Sequence, residues 1–324
     1  MTGSATLADA RYREVQGVSR SVVDAVQAVW RDVPADRILS AMNGEAGAAV
    51  LRAVTVGQLT AAEGAQAFVS ASMVAQGAIA APLGTVDASA LVGVAMDGRP
   101  LATLLYQPAI TTARALALGE APEVAALRGM TQMAVMTGTT ITDTARTATS
   151  VAMAAHPRCQ GYVRVVHAPA CARCIVLAGR QYSHSTGFAR HPRCDCGMEP
   201  LADSTKPQLA DPKDLFEAMT PEQRHRAFGG AAVKAIESGA DISALVNARR
   251  GMQTVTTSRG TVSITSESTT RRGLGGRNLG DVEKTADSRY ARRTETRMMP
   301  EEIMRRAKTR EQQIDLLTKH GYIF

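Results

Sequence analysis

Cys171-Ala172-Arg173-Cys174, sixteen residues, then His191-Pro192-Arg193-Cys194-Asp195-Cys196 is the stretch on which the reading of this chain turns. A two-residue gap lets two thiolates at a tight knuckle point at one ion. A second cluster beyond a short hairpin then supplies the rest of a tetrahedron. Five side chains (Cys171, Cys174, Cys194, Cys196 and His191) compete for four positions. The four cysteines are the first choice, and the alternative puts His191 in place of Cys194 or Cys196. Zinc is the preferred ion for a thiolate-rich tetrahedron, although a single iron fits the same ligands. With four protein ligands at hand, the site reads as structural rather than as a catalytic centre holding water.

All five cysteines of the 324 residues fall between Cys159 and Cys196. A chain this long that relied on disulfides would spread them to close large loops. Clustering points to a metal instead. The segment 161–200 also has few large apolar side chains, among them Tyr162, Val163, Val165, Val166, Ile175, Leu177 and Phe188. Burying them cannot offset the entropy of ordering some forty residues, so a bound ion is expected to supply part of the difference and packing on the helical domain the rest. Cys159, in His156-Pro157-Arg158-Cys159, repeats the tetrapeptide His191 to Cys194 and reads as a buried thiol at the end of the preceding helix.

Upstream, the sequence is helical. Aromatic residues make up only 4% of the chain, which favours helices packed through small residues over an aromatic-rich β-sandwich. Val15, Val18, Val22, Val26 and Val29 or Trp30 form one stripe of a helix over 7–33. Asp36 is placed to cap a second helix to about Val54. Thr60-Ala61-Ala62-Glu63 has the form of a capping box opening a third, to about Ile79. Further helices are expected over 109–118, 123–136 and 140–155. The run Tyr162 to Val166 is β-rich and predicts a strand. Beyond the cysteines, Asp211-Pro212 and the capping box Thr220-Pro221-Glu222-Gln223 open two short helices, and Ile242 to Arg249 is a third. Thr254 to Ser263 predicts a hairpin turning at Arg259-Gly260, and Pro300 starts a last helix. The expected fold is mainly α with a small zinc-stabilised β-hairpin module (α+β) and an extended basic C-terminal region. Its segments are a helical domain 1–158, the zinc-knuckle module 159–205, a helical segment 206–250, a hairpin and linker 251–288 and a C-terminal helix 289–324.

The net charge of +7 lies in the last quarter: residues 249–324 hold 16 Lys and Arg against 9 Asp and Glu, whereas residues 1–248 balance. Four arginine pairs, Arg249-Arg250, Arg271-Arg272, Arg292-Arg293 and Arg305-Arg306, suit phosphate contacts without base reading, or an acidic partner surface. Only Tyr290 lies near a pair, so base stacking gains little support. No uncharged apolar run reaches the roughly 18 residues of a membrane span; Ala78 to Met96 comes nearest and is broken by Pro82, Gly84, Asp87 and Gly93. The first twenty residues lack a basic stretch followed by an apolar one, so a soluble protein made inside the cell is expected.

Val163-Arg164-Val165, Cys-x-x-Cys, Leu177-Ala178-Gly179-Arg180, Phe188, His-Pro-x-Cys-x-Cys and Pro200, in that order, resemble the MuF-like minor head proteins of tailed bacteriophages, especially those of actinobacterial phages. Asp195 stands where that family more often has Arg, and Ala178 where it more often has Asp; neither change removes a ligand. The motif covers about forty residues, with weaker similarity over the helices before it, Val246 to Arg250, Thr270 to Gly273 and Pro300 to Tyr322. The resemblance implies a virion component in few copies, placed in the phage head interior after assembly in the host cytoplasm. Its implied partners are the portal protein, the major capsid or scaffold protein and packaged double-stranded DNA, with no membrane.

Enzymatic alternatives are weaker. A capsid maturation protease would need a nucleophile, and Ser183 and Ser185 flank His184, yet neither a Gly-x-Ser-x-Gly elbow nor His-Glu-x-x-His occurs. An HNH-type nuclease also uses a Cys-x-x-Cys knuckle, but the required His and Asn context is missing. No catalytic residue is assigned.

Overall fold

A computed structural model describes residues 3–187, 191, 194–206, 210–257, 260–270, 272–287, 289 and 291–324; Thr257, Arg292 and Arg293 are described by backbone alone. It is mostly helical with small antiparallel sheets. The chain divides into two compact units, Met1–Val166 with Gly179–Leu209, and His167–Ala178 with Ala210–Phe324.

The first unit is built on α1 (Gly3–Arg31), α2 (Ile38–Met42), α3 (Glu45–Glu63), α4 (Ala65–Ala75), α5 (Leu101–Ala117) and α6 (Pro122–Ala155). The valine stripe does what its spacing predicts: Val15, Val22, Val26 and Trp30 are buried with Val50, Val54, Leu101, Leu105, Met133 and Ile141. Three local readings give way to packing. Thr60 caps nothing, because it lies inside α3 and its hydroxyl bonds back to the carbonyl of Val56 at 3.0 Å. Pro108 sits inside α5 instead of preceding a helix, and Thr112 one turn on bonds its hydroxyl back to the Pro108 carbonyl at 3.1 Å. The predicted break at Met136–Thr140 does not occur, since α6 runs unbroken for 34 residues. Gly138 is where α6 meets α1: a Cβ there would reach Ser19 Oγ at 3.2 Å. Burial of that face outweighs the low helix propensity of Gly and Thr.

A three-stranded antiparallel sheet, in the order β2-β1-β3, completes the first unit. It comprises β1 (Cys159–Val165), β2 (Gln181–Ser183) and β3 (Gly197–Ala202). Gly161 admits β2, because a Cβ there would fall 2.1 Å from the carbonyl oxygen of Tyr182. Tyr162 stacks on Tyr182 with centroids 5.3 Å apart and donates to the carbonyl of Thr186 at 2.7 Å. Burial pushes its hydroxyl up to about 12.

In the second unit, α7 (Ala172–Val176) packs with α8 (Pro212–Glu217), α9 (Pro221–Phe228), α10 (Gly230–Glu237) and α11 (Ile242–Ala248) around Ile175, Phe216, Met219 and Phe228. Both predicted starts are made: Asp211 accepts from the amide of Lys213, and the Thr220–Gln223 capping box closes in both directions. The hairpin pairs β4 (Met252–Thr257) with β5 (Gly260–Thr265); Ser258 and Arg259 of its turn lie outside the described residues. Short β6 (Val282–Glu283) pairs with β7 (Arg292–Arg293), and β8 (Arg297–Met298) with β5.

The C-terminal region is folded, where the sequence suggested an extended tail. Its expected single helix is two, α12 (Pro300–Arg306) and α13 (Arg310–Lys319), the second capped by Thr309. Met299, Ile303, Leu317 and Tyr322 share one core with Ala235, Leu245 and Ala248. No helix among the described residues is long and apolar enough to cross a membrane.

Candidate metal centre

The first two ligands come from a knuckle. Cys171 is the N-cap of α7, and its Sγ accepts from the amide of Cys174 at 3.4 Å, which turns the two side chains to the same side of one helical turn. Ile175, fully buried one residue on, fixes that turn in an apolar cluster.

Cys194 and Cys196 are held by the first unit. They flank Asp195 in the segment that enters β3, and both are 2% exposed. Asp195, between them, is only partly buried. Three side chains distant in sequence fasten this segment. Tyr12 of α1 donates to Asp195 Oδ2 at 2.8 Å; burial, then the neighbouring carboxylate, raise its pKa. Arg146 of α6 donates from Nε to the carbonyl of Cys196 at 2.9 Å and from Nη2 to the carbonyl of Cys194 at 2.8 Å, while Nη1 pairs with buried Asp143 at 2.9 Å. Arg164 of β1 sends Nη2 towards both sulfurs, 3.6 Å from Cys194 and 3.4 Å from Cys196.

The sulfurs of Cys171 and Cys174 and a ring nitrogen of His191 lie within 4.8 Å of one another, and so do the sulfurs of Cys174, Cys194 and Cys196. These Cys and His groups could hold a metal ion, and Cys174 belongs to both. All five cysteines are described and none is in a disulfide. Cys159 stands apart: it opens β1, its thiol meets the carbonyl of Gly161 at 3.3 Å, and burial pushes its pKa up. Spacing brought the five ligands to notice, but Tyr12, Asp143, Arg146 and Arg164 escaped it. The only local sign was a charge placed inside the apolar run Tyr162-Val163-Arg164-Val165.

The arginine pairs fare unevenly. Arg249 donates to the carbonyl of Phe228 and lies 3.5 Å from Glu301. Arg305 and Arg306 both pair with Glu302, whose carboxylate is 4% exposed. Arg250 and Arg272 are exposed; Arg271 and the side chains of Arg292 and Arg293 lie outside the described residues, as do Phe188 and Tyr290. Around His184, the two serines engage each other, Oγ to Oγ, at 3.0 Å.

No family model matches this chain, and neither a curated protein nor a solved structure matches it.

Proposed function

We propose that this chain is a structural, non-enzymatic head morphogenesis protein of a tailed bacteriophage, a MuF-like minor capsid protein. It acts at the portal inside the procapsid, with the portal and the major capsid or scaffold protein as partners. The observation that supports this most is that Cys171, Cys174 and His191 form one group that could hold a metal ion and Cys174, Cys194 and Cys196 another, the residues on which the sequence resemblance rests. The ion is zinc, held by four of the five: a closed set of thiolate and imidazole donors leaves no coordination position for a reacting water. Its role is to pin a stretch that has little core of its own. DNA contact falls to the exposed arginines, Arg250 and Arg272 first, because Arg249, Arg305 and Arg306 already face carboxylates of this chain.

Procapsid assembly tests the reading. The chain is co-expressed with the portal, scaffold and major capsid proteins encoded beside it, and particles are sedimented. A few copies per particle, lost with Cys174→Ser together with bound zinc, is the expected result. Recovery of the intact, zinc-loaded chain only in the soluble fraction refutes the proposal.

A further inference from the structure

Two positive charges are buried against the sulfurs of Cys194 and Cys196, and a structural metal site does not by itself explain them. Arg164 is 1% exposed and Arg146 8%. Burying a guanidinium is costly unless an anion or several acceptors meet it. Arg146 finds Asp143 and two carbonyls, and its Nη2 still comes 3.7 Å from Cys194 Sγ. Arg164 is aimed differently. Its backbone is locked in place, the amide donating to the carbonyl of Arg180 at 2.8 Å and the carbonyl accepting from Gly179 at 2.9 Å. Gly179 turns with φ +71°, which suits glycine. From that fixed base, one nitrogen reaches both thiols. A thiolate accepts such a charge-assisted bond strongly and a thiol weakly, so the arrangement favours sulfur in its metal-ligating form.

We propose that Arg164, assisted by Arg146, is a positioning residue of the metal centre: its guanidinium donates to the two metal-bound thiolates, neutralises part of their charge and strengthens the hold on a thiophilic divalent cation. This rests on the metal reading above. Hydrogen bonds to ligand sulfur tune a metal site, and losing an outer partner costs roughly 10–100-fold in affinity. Arg173, exposed on α7 beside the knuckle, serves as the control.

The experiment uses the full chain and two probes: zinc, titrated against a chromophoric chelator, and cobalt(II), followed by its sulfur-to-metal charge-transfer band. Arg164→Met is expected to bind zinc roughly 10–100-fold more weakly and to move the cobalt band to longer wavelength, because unbonded sulfur gives up electrons more easily. Arg164→Lys keeps the charge and should recover most of the affinity, but it cannot reach both sulfurs, so its band stays shifted. Arg173→Met should match wild type in both. If Arg164→Met does not fold, Arg164→Lys decides: a wild-type band in that variant overturns the proposal. So does wild-type affinity with an unmoved band in folded Arg164→Met, and in either case the metal centre itself stands. A wild-type chain that takes up neither zinc nor cobalt overturns both.

Discussion

Replacing Arg297 with methionine is expected to destabilise the C-terminal core strongly while leaving the N-terminal helices unaffected. Arg297 is 2% exposed and its positive charge is spent inside the chain. Nε donates to the carbonyl of His320 at 2.7 Å, Nη2 to that of Gly321 at 2.9 Å and Nη1 to that of Glu267 at 3.0 Å, and the guanidinium lies 4.2 Å from the Tyr322 ring centroid. His320 and Gly321 supply carbonyls at the end of α13 that no further helical turn can satisfy. A hydrogen bond to a charged donor contributes about 1.5–3 kcal/mol, so three at the lower bound come to about 4–5 kcal/mol. Methionine fills similar space against Tyr322 and recovers only the packing. Domains have about 5–15 kcal/mol in total, so this loss consumes from about a quarter to nearly all of the stability. Urea titration, read by hydrogen exchange of peptides from α10 to α13, measures it directly. A loss below about 1 kcal/mol would show that water replaces the guanidinium freely and that the three carbonyls do not depend on it.

Two further outcomes follow from single contacts. His320 is buried, accepts from the amide of Met298 at 3.3 Å and has its pKa depressed to about 4, chiefly by burial and then by Lys319 and Arg297. The unfolded chain therefore binds a proton that the folded one refuses. Stability should fall as pH drops from about 6.5 to about 4, by about 3 kcal/mol in all; His320→Gln should flatten that slope in urea midpoints, and an unchanged slope would exonerate this histidine. Gly129→Ala should lower the melting temperature and shift the emission of Trp30. Its Cβ would lie 2.0 Å from Thr112 Oγ1, 2.6 Å from the Trp30 ring and 2.9 Å from the Pro108 carbonyl. Overpacking of about 1–3 kcal/mol exceeds the roughly 1 kcal/mol by which alanine improves a helix, and a raised melting temperature would show the reverse.

Where a signal is local, the sequence carries it. The Thr220–Gln223 box and the Asp211 cap use atoms three residues apart or fewer, and both form as read. Cys171 and Cys174 are adjacent on one helical turn, so their spacing alone places them. Thr60-Ala61-Ala62-Glu63 has the same local pattern and fails, because a capping box and a threonine inside a helix look alike until the neighbouring chain is known. Pro108 and Gly138 are kept in helices by contacts from elsewhere, which no window of sequence contains. The same holds at the candidate site. Arg146 lies 50 residues from Cys196, and Tyr12 lies 183 from Asp195. Arg305 and Arg306 looked like free cations, yet Glu302, three and four residues before them, was a readable warning.

The fastening of Asp195 by Tyr12 and of the Cys194 and Cys196 carbonyls by Arg146 bears on protein engineering. A peptide spanning residues 159–205 would carry every thiol and imidazole of the cluster, yet leave behind the tyrosine, aspartate and arginine that give the second pair its shape. Unlike a zinc finger, this knuckle is not a portable cassette. Grafting it onto a new scaffold means transplanting two helices along with the loop.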